Sequence, residues 1–170
     1  MGESQESGKG RLIMGIEILE EYANNRAGAT GFAGSVPEIV STRVLQSDAP
    51  AGTYVFPDAA ESCDIPAAAA DITDGNGGFL VYKDDKIATG TDSEWKADEY
   101  VKYVRRGYVV IKTEAAVVDM GDVYIRHTAD GGLDQIGGGA AAAGTGLSLL
   151  PNAKYVGSHA AGTALVRRGD

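Results

Sequence analysis

The chain has 170 residues, 24 acidic against 15 basic, and a formal net charge of −9; nucleic acid is disfavoured as a direct partner, because phosphate binding needs clustered Lys and Arg. A domain of this size buries roughly 68–70% of the surface its unfolded chain exposes, enough for one core without staples. The single cysteine, Cys63, excludes an internal disulfide and a four-cysteine zinc site.

No apolar run reaches the roughly 20 residues of a membrane span, so no membrane partner is expected. Residues 1–10 are polar and acidic, unlike a secretory signal. The lone thiol reads as a buried packing group and fits folding in a reducing cytosol.

Residues 2–10 form a Ser/Glu/Gly segment with too little apolar area to order itself. The next stretch differs. Leu12, Ile16, Leu19 and Ala23 recur at i, i+4, i+7 and i+11, a helical stripe with Glu17, Glu20 and Glu21 facing away. Gly15 weakens that helix by roughly 1 kcal/mol relative to Ala, and Ile13, Met14 and Ile18 overfill the stripe. Such an arm can pack on a neighbouring subunit or on its own domain. Leu12, Ile13, Ile16, Leu19 and Tyr22 are the candidate interface residues. Residues 25–35 are small and permissive and read as linker. The expected division is an arm and linker over 1–35 and a β-rich domain over 36–170.

Residues 39–45 are strand-like, with β-branched side chains at most positions. Residues 48–52 turn, and Thr53, Tyr54, Val55 and Phe56 follow until Pro57 stops them. Residues 67–70, four alanines, suit a short helical turn. Asp74, Gly75, Asn76, Gly77 and Gly78 make a turn before a strand over 79–82, and residues 83–86 follow as a charged loop. Further on, Arg106-Gly107 reads as a hairpin joining two strands. Tyr108, Val109, Val110 and Ile111 are apolar throughout, which predicts cover on both faces. Arg105-Arg106 and Arg167-Arg168 sit beside Gly and read as turn and terminus. Residues 137–146 are low in complexity and read as a loop that is mobile or ordered by a partner. Residues 154–157 and 164–167 are expected to close the sheet. The fold class is mainly β, a compact sandwich or barrel-like domain with an extended, partly helical N-terminal arm.

Chemical sites find little support. Counting from Asp71, an EF-hand loop would need Gly at the sixth position and Glu at the twelfth, but Asn76 and Tyr82 stand there. The glycine run lacks the Gly-Lys-Ser/Thr of a phosphate loop. His127 and His159 have no ligand partners at helical spacing. No Gly-x-Ser-x-Gly elbow is present, and Asp119, Asp122 and Asp130 read as turn residues. No enzyme activity, cofactor or metal is expected. Trp95, Tyr100 and Tyr103 would suit an aromatic sugar platform, against the plainer reading of a core tryptophan with flanking tyrosines. The closing Arg168-Gly169-Asp170 tripeptide reads as chance.

Over residues 36–166 the order of elements resembles the structural cement (capsid decoration) proteins of tailed bacteriophages. The matching marks are the strand at Tyr100-Val101-Lys102-Tyr103-Val104, the Gly107-Tyr108-Val109-Val110-Ile111 strand and Ala116-Val117. After these come Gly121-Asp122-Val123-Tyr124-Ile125-Arg126, the Gly131-Gly132 loop, Leu150-Pro151-Asn152-Ala153-Lys154-Tyr155 and the closing residues 160–166. The first 35 residues and the 67–78 stretch fall outside it. The resemblance implies a β-rich fold, a homotrimer, and attachment to the major capsid protein on the outer face of an icosahedral shell. It implies a virion protein made in the host cytoplasm, with no catalytic residues. The alternative is a carbohydrate- or receptor-binding module of a tail or fibre, built on Trp95 and its neighbours.

Overall fold

The computed structural model describes residues 39–81, 94–130 and 135–169. The candidate arm residues Leu12, Ile13, Ile16, Leu19 and Tyr22 lie outside these, as do Tyr82 and the charged loop over 83–86.

The strands are β1 (Ile39–Leu45), β2 (Ala49–Pro50), β3 (Tyr54–Pro57), β4 (Ser62–Asp64), β5 (Gly78–Leu80), β6 (Glu94–Trp95), β7 (Tyr100–Thr113), β8 (Asp122–Arg126), β9 (Gly139–Ala140), β10 (Leu147–Val156) and β11 (Gly162–Arg168), with a short helix α1 (Ala70–Thr73). Nine strands form one sheet in the order β1-β4-β3-β5-β7-β11-β10-β8-β9, and β2 pairs with β6 apart from it. Two further pairings, β1 with β7 and β7 with β9, close that sheet twice. The mainly β expectation holds, and of its two forms the structure takes the barrel.

The result is two rings that share one strand. The first half of β7 pairs with β1, from Val44 opposite Tyr100 to Ile39 opposite Arg106. Its second half pairs with β11, from Arg168 opposite Gly107 to Gly162 opposite Thr113. The handover falls between Arg106 and Gly107, and Gly107 has φ of 116° there, a region that L side chains avoid. The expected hairpin at Arg106-Gly107 therefore does not form. The glycine bends a continuous 14-residue strand, because each half has a better partner in a different ring than in the other half.

Alternation along the strands separates two cores. Tyr54, Phe79, Val109, Ile111, Ile125, Tyr155 and Val166 belong to the larger one; Leu45, Val55, Cys63, Leu80, Val101 and Tyr103 belong to the smaller. Neighbours on one strand go opposite ways, Tyr54 against Val55 and Phe79 against Leu80, as the period of two requires. Strands β3 and β5 are thus a wall between the cores. Tyr54 and Phe79, partners on these neighbouring strands, meet on the larger-core face edge to face, with ring centroids 5.5 Å apart, a preferred aromatic geometry.

The 67–78 stretch is part of this packing. Ile72 of α1 is fully buried in the larger core. The Asp71 carboxylate accepts the amides of Ala67 and Ala68, each at 2.8 Å, which holds the chain for the helical turn. Residues 137–140 also differ from expectation. They are buried, and β9 pairs with both β7 and β8. Glycine permits this: a Cβ at Gly139 would lie 2.6 Å from Ile111 Cδ1 and 2.8 Å from the Tyr155 hydroxyl. The exposed, loop-like part of the run is residues 141–145.

Candidate interface at the junction of the rings

The place where β7 changes rings collects arginines. Arg105 and Arg106 immediately precede the bend at Gly107, and Arg168 closes β11 directly opposite that glycine. The C-terminal end of α1 supplies Thr73, Asp74 and Gly75. Strand β10 supplies Pro151 and Asn152 from the irregular stretch where its register against β8 shifts. Asn152 has φ of 58°, and its carbonyl accepts the Gly169 amide at 2.9 Å. Together these residues line a cavity of about 490 Å³.

Arg168 anchors the floor. Its guanidinium donates to the carbonyls of Gly75 and Gly77 and lies 6.0 Å from the centroid of the Tyr54 ring. Burial lowers its pKa, and repulsion from Arg105 and Arg106 adds to that. Burial raises the Tyr54 pKa, so the phenol stays neutral beneath the cation. Among the described residues that line it, Asp74 is the one carboxylate beside the guanidiniums of Arg105, Arg106 and Arg168.

A second, smaller cavity of about 230 Å³ adjoins the first, sharing Asn152 and Gly169 with it. Its apolar lining comes from Met120 and Val156, with Lys154 and Arg167 at its edges. Met120 is 62% exposed. It has φ of 59° in a turn closed by the Gly121 amide on the Val118 carbonyl at 3.0 Å. The Met120 amide itself is spent on the Tyr155 carbonyl at 3.0 Å.

Sequence reasoning missed this surface. Each arginine pair was legible as basic residues beside Gly, but the pairing of β7 with β11 that brings them together is non-local. The sugar-platform candidates do not assemble. Tyr103 is buried and its hydroxyl accepts Arg43 Nε at 3.2 Å, while Tyr100 is 73% exposed. Trp95 packs on the smaller core and donates to the Val81 carbonyl at 2.8 Å.

The other candidates have ordinary structural partners. Asp119 accepts the Gly157 amide at 2.8 Å, and Asp122 pairs with Lys154 at 2.6 Å. His159 donates to the Val156 carbonyl at 2.8 Å, and His127 Nδ1 lies 2.9 Å from the Thr128 hydroxyl. Cys63 is fully buried, and desolvation first, then the Asp58 charge, pushes its thiol up to about 12.

The described residues form a doubly closed, mainly β body with a cavity at the seam of its two rings. The family model described as "Structural cement protein (E217 gp24/Pam3 gp6)" matches residues 21–168, and the chain belongs to that family. Membership implies a non-enzymatic structural role in association with a phage capsid. The match takes in the 67–78 stretch and begins within the arm. Among solved structures, a chain from "The capsid of Myoviridae Phage XM1" shares the fold with a TM-score of 0.65 at 20% identity, over 83% of this chain and 89% of that one. No curated protein matches the chain.

Proposed function

We propose that this protein binds the outer surface of a phage head as a homotrimer and bridges neighbouring capsomers of the major capsid protein, holding the shell against the pressure of packaged DNA. The observation that carries the reading is the family match over residues 21–168. A ligand that binds only the assembled shell stabilises it by RT ln(1 + [L]/Kd), about 2.7 kcal/mol per site at a hundredfold excess over Kd. Three linked subunits engaging several capsid chains gain a further factor of about 10²–10⁴ through effective concentration, so each contact needs only ordinary size, on the order of 1,200–2,000 Å².

The folded part suits such a load. Because β7 belongs to both rings, force applied to one passes along a single covalent strand into the other. The arm over 1–35 adds apolar area through Leu12, Ile13, Ile16, Leu19 and Tyr22 when it docks. Synthesis in the host cytoplasm fits the lone buried thiol, and an outer position keeps an acidic chain away from the genome.

The test is addition of the purified protein to immature and expanded heads that lack it. Trimers that saturate expanded heads and leave immature ones bare are the expected result. A monomer bound to neither would refute the proposal. The tail-module alternative predicts selective binding on a glycan array; it has no support from the separated positions of Tyr100 and Tyr103.

A further inference from the structure

Of the asparagines in this chain, Asn76 alone is followed by glycine. Asn-Gly is the dipeptide most prone to spontaneous deamidation, because glycine has no side chain to shield its own amide nitrogen or to restrict the turn. That nitrogen attacks the asparagine Cγ, ammonia leaves, and a five-membered succinimide forms. Water then opens the ring to aspartate or to isoaspartate. The Asn76 side chain is exposed, and the turn it occupies joins α1 to β5. We propose that Asn76-Gly77 is a latent succinimide site, kept unreactive by the Arg168 fork and opened to modification only when the seam between the rings loosens.

Ring closure requires the peptide between Asn76 and Gly77 to rotate until its nitrogen faces the Asn76 side chain. Both flanking peptides are pinned. One guanidinium, that of Arg168, donates to the Gly77 carbonyl on one side and to the Gly75 carbonyl on the other. The Gly77 backbone also donates to the Tyr54 hydroxyl, so the nucleophilic nitrogen is aimed inward and its proton is occupied. Gly77 itself is buried, and a Cβ there would lie 2.3 Å from the Val55 carbonyl oxygen and 2.4 Å from the Tyr54 hydroxyl. That leaves little room for the swing. The same tightness makes the modification one-way. Isoaspartate adds a methylene carbon to the main chain, and the slot that excludes one extra carbon at Gly77 excludes the lengthened backbone as well. A subunit that reacts while open therefore cannot close to the parent packing.

The test incubates the full chain in mildly alkaline buffer, folded and in denaturing urea, and follows the 70–82 fragment by mass spectrometry. Loss of the amide changes the mass, which isomerisation of the neighbouring Asp74 does not. If the succinimide forms only from an opened turn, its rate relative to the unfolded chain equals the open fraction, tenfold lower for about every 1.4 kcal/mol of opening free energy. The folded parent is expected to react at least about tenfold more slowly than the unfolded one, and folded Arg168→Lys, which has no fork, about tenfold faster than the folded parent. Equal rates for folded and unfolded parent would overturn the inference, and so would a folded Arg168→Lys variant that reacts at the parent's rate. A measurement on the parent alone guards against a variant that does not fold: hydrogen exchange at the Gly77 amide, across urea concentrations too low to unfold the chain. Exchange and deamidation are expected to rise together there, and deamidation indifferent to that exchange contradicts the clamp. The purified isoaspartate product is expected to unfold at lower urea than the parent; an unchanged midpoint would contradict the one-way step.

Discussion

Arg168, at the end of the last strand, donates to the carbonyl of Gly77, 91 positions earlier in the chain. Its other terminal nitrogen reaches Gly75. One side chain of the second ring therefore satisfies the backbone of the turn that leads into β5 of the first. Arg168→Ala would leave both carbonyls without that partner and strip the cation from Tyr54, at a cost of about 2–3 kcal/mol. Arg168→Lys is expected to recover less than half, because an ammonium has no fork. Urea denaturation followed by far-UV circular dichroism measures both.

A second arginine closes the far side of the larger ring. Arg126 is paired side-on with Glu114, Nη2 to Oε2 at 2.7 Å, with side chains only 4% and 15% exposed. Its Nη1 donates to the Thr128 carbonyl at 3.2 Å. Glu114→Ala leaves the buried guanidinium with the half-exposed Asp130 carboxylate at 3.4 Å as its remaining ion pair and is expected to cost about 3 kcal/mol. Replacing both residues together, Glu114→Met with Arg126→Met, is expected to cost less than Glu114→Ala alone. A thermal-melt series that ranks the double variant below the single would contradict this.

Alkali should weaken the fold in a defined order. Cys63 holds its proton in the folded state up to about pH 12, against an ordinary value of 9.0. Above pH 9 the unfolded chain gives up that proton and the native one does not, so unfolding gains. Stability is full below about pH 9 and falls as pH rises towards 12, by at most about 1.4 kcal/mol per pH unit for this group. Tyr54 and Tyr155, both raised from 10.0 chiefly by burial, add the same sign above pH 10. Cys63→Ala is expected to flatten the decline between pH 9 and 10 in urea titrations; an unaltered slope would mean that another group governs it.

The arm gives a prediction about attachment. Deleting residues 1–26 is expected to leave a folded domain that binds heads or its own copies more weakly, and Ile16→Asp with Leu19→Asp should reproduce the loss. Light scattering reads the oligomer, and head occupancy reads the attachment. Equal values for the parent and both variants would show the apolar stripe to be inert.

Local signals were well preserved in the sequence. The strand read at residues 39–45 is β1 to the residue, and the apolar quartet that begins at Tyr108 does run through the interior of the shared strand. Ambiguity arose where one local pattern serves two structures. Arg-Arg-Gly suits a tight turn, yet here the same glycine lets a continuous strand cross between rings. The Gly/Ala run suits a loop, yet its first half fits against Ile111 and Tyr155 because it lacks side chains. Neither outcome is encoded nearby, since both depend on partner strands distant in sequence. The same holds for the arginine cavity, whose members read separately as a turn and a tail.

The direct measurement is the temperature at which packaged heads release DNA, with and without this protein restored to particles that lack it. Restoration should raise that temperature in step with occupancy, and empty heads should bind the protein equally well while gaining nothing from internal pressure. Release at one temperature whatever the occupancy would mean that the protein coats the shell without holding it together.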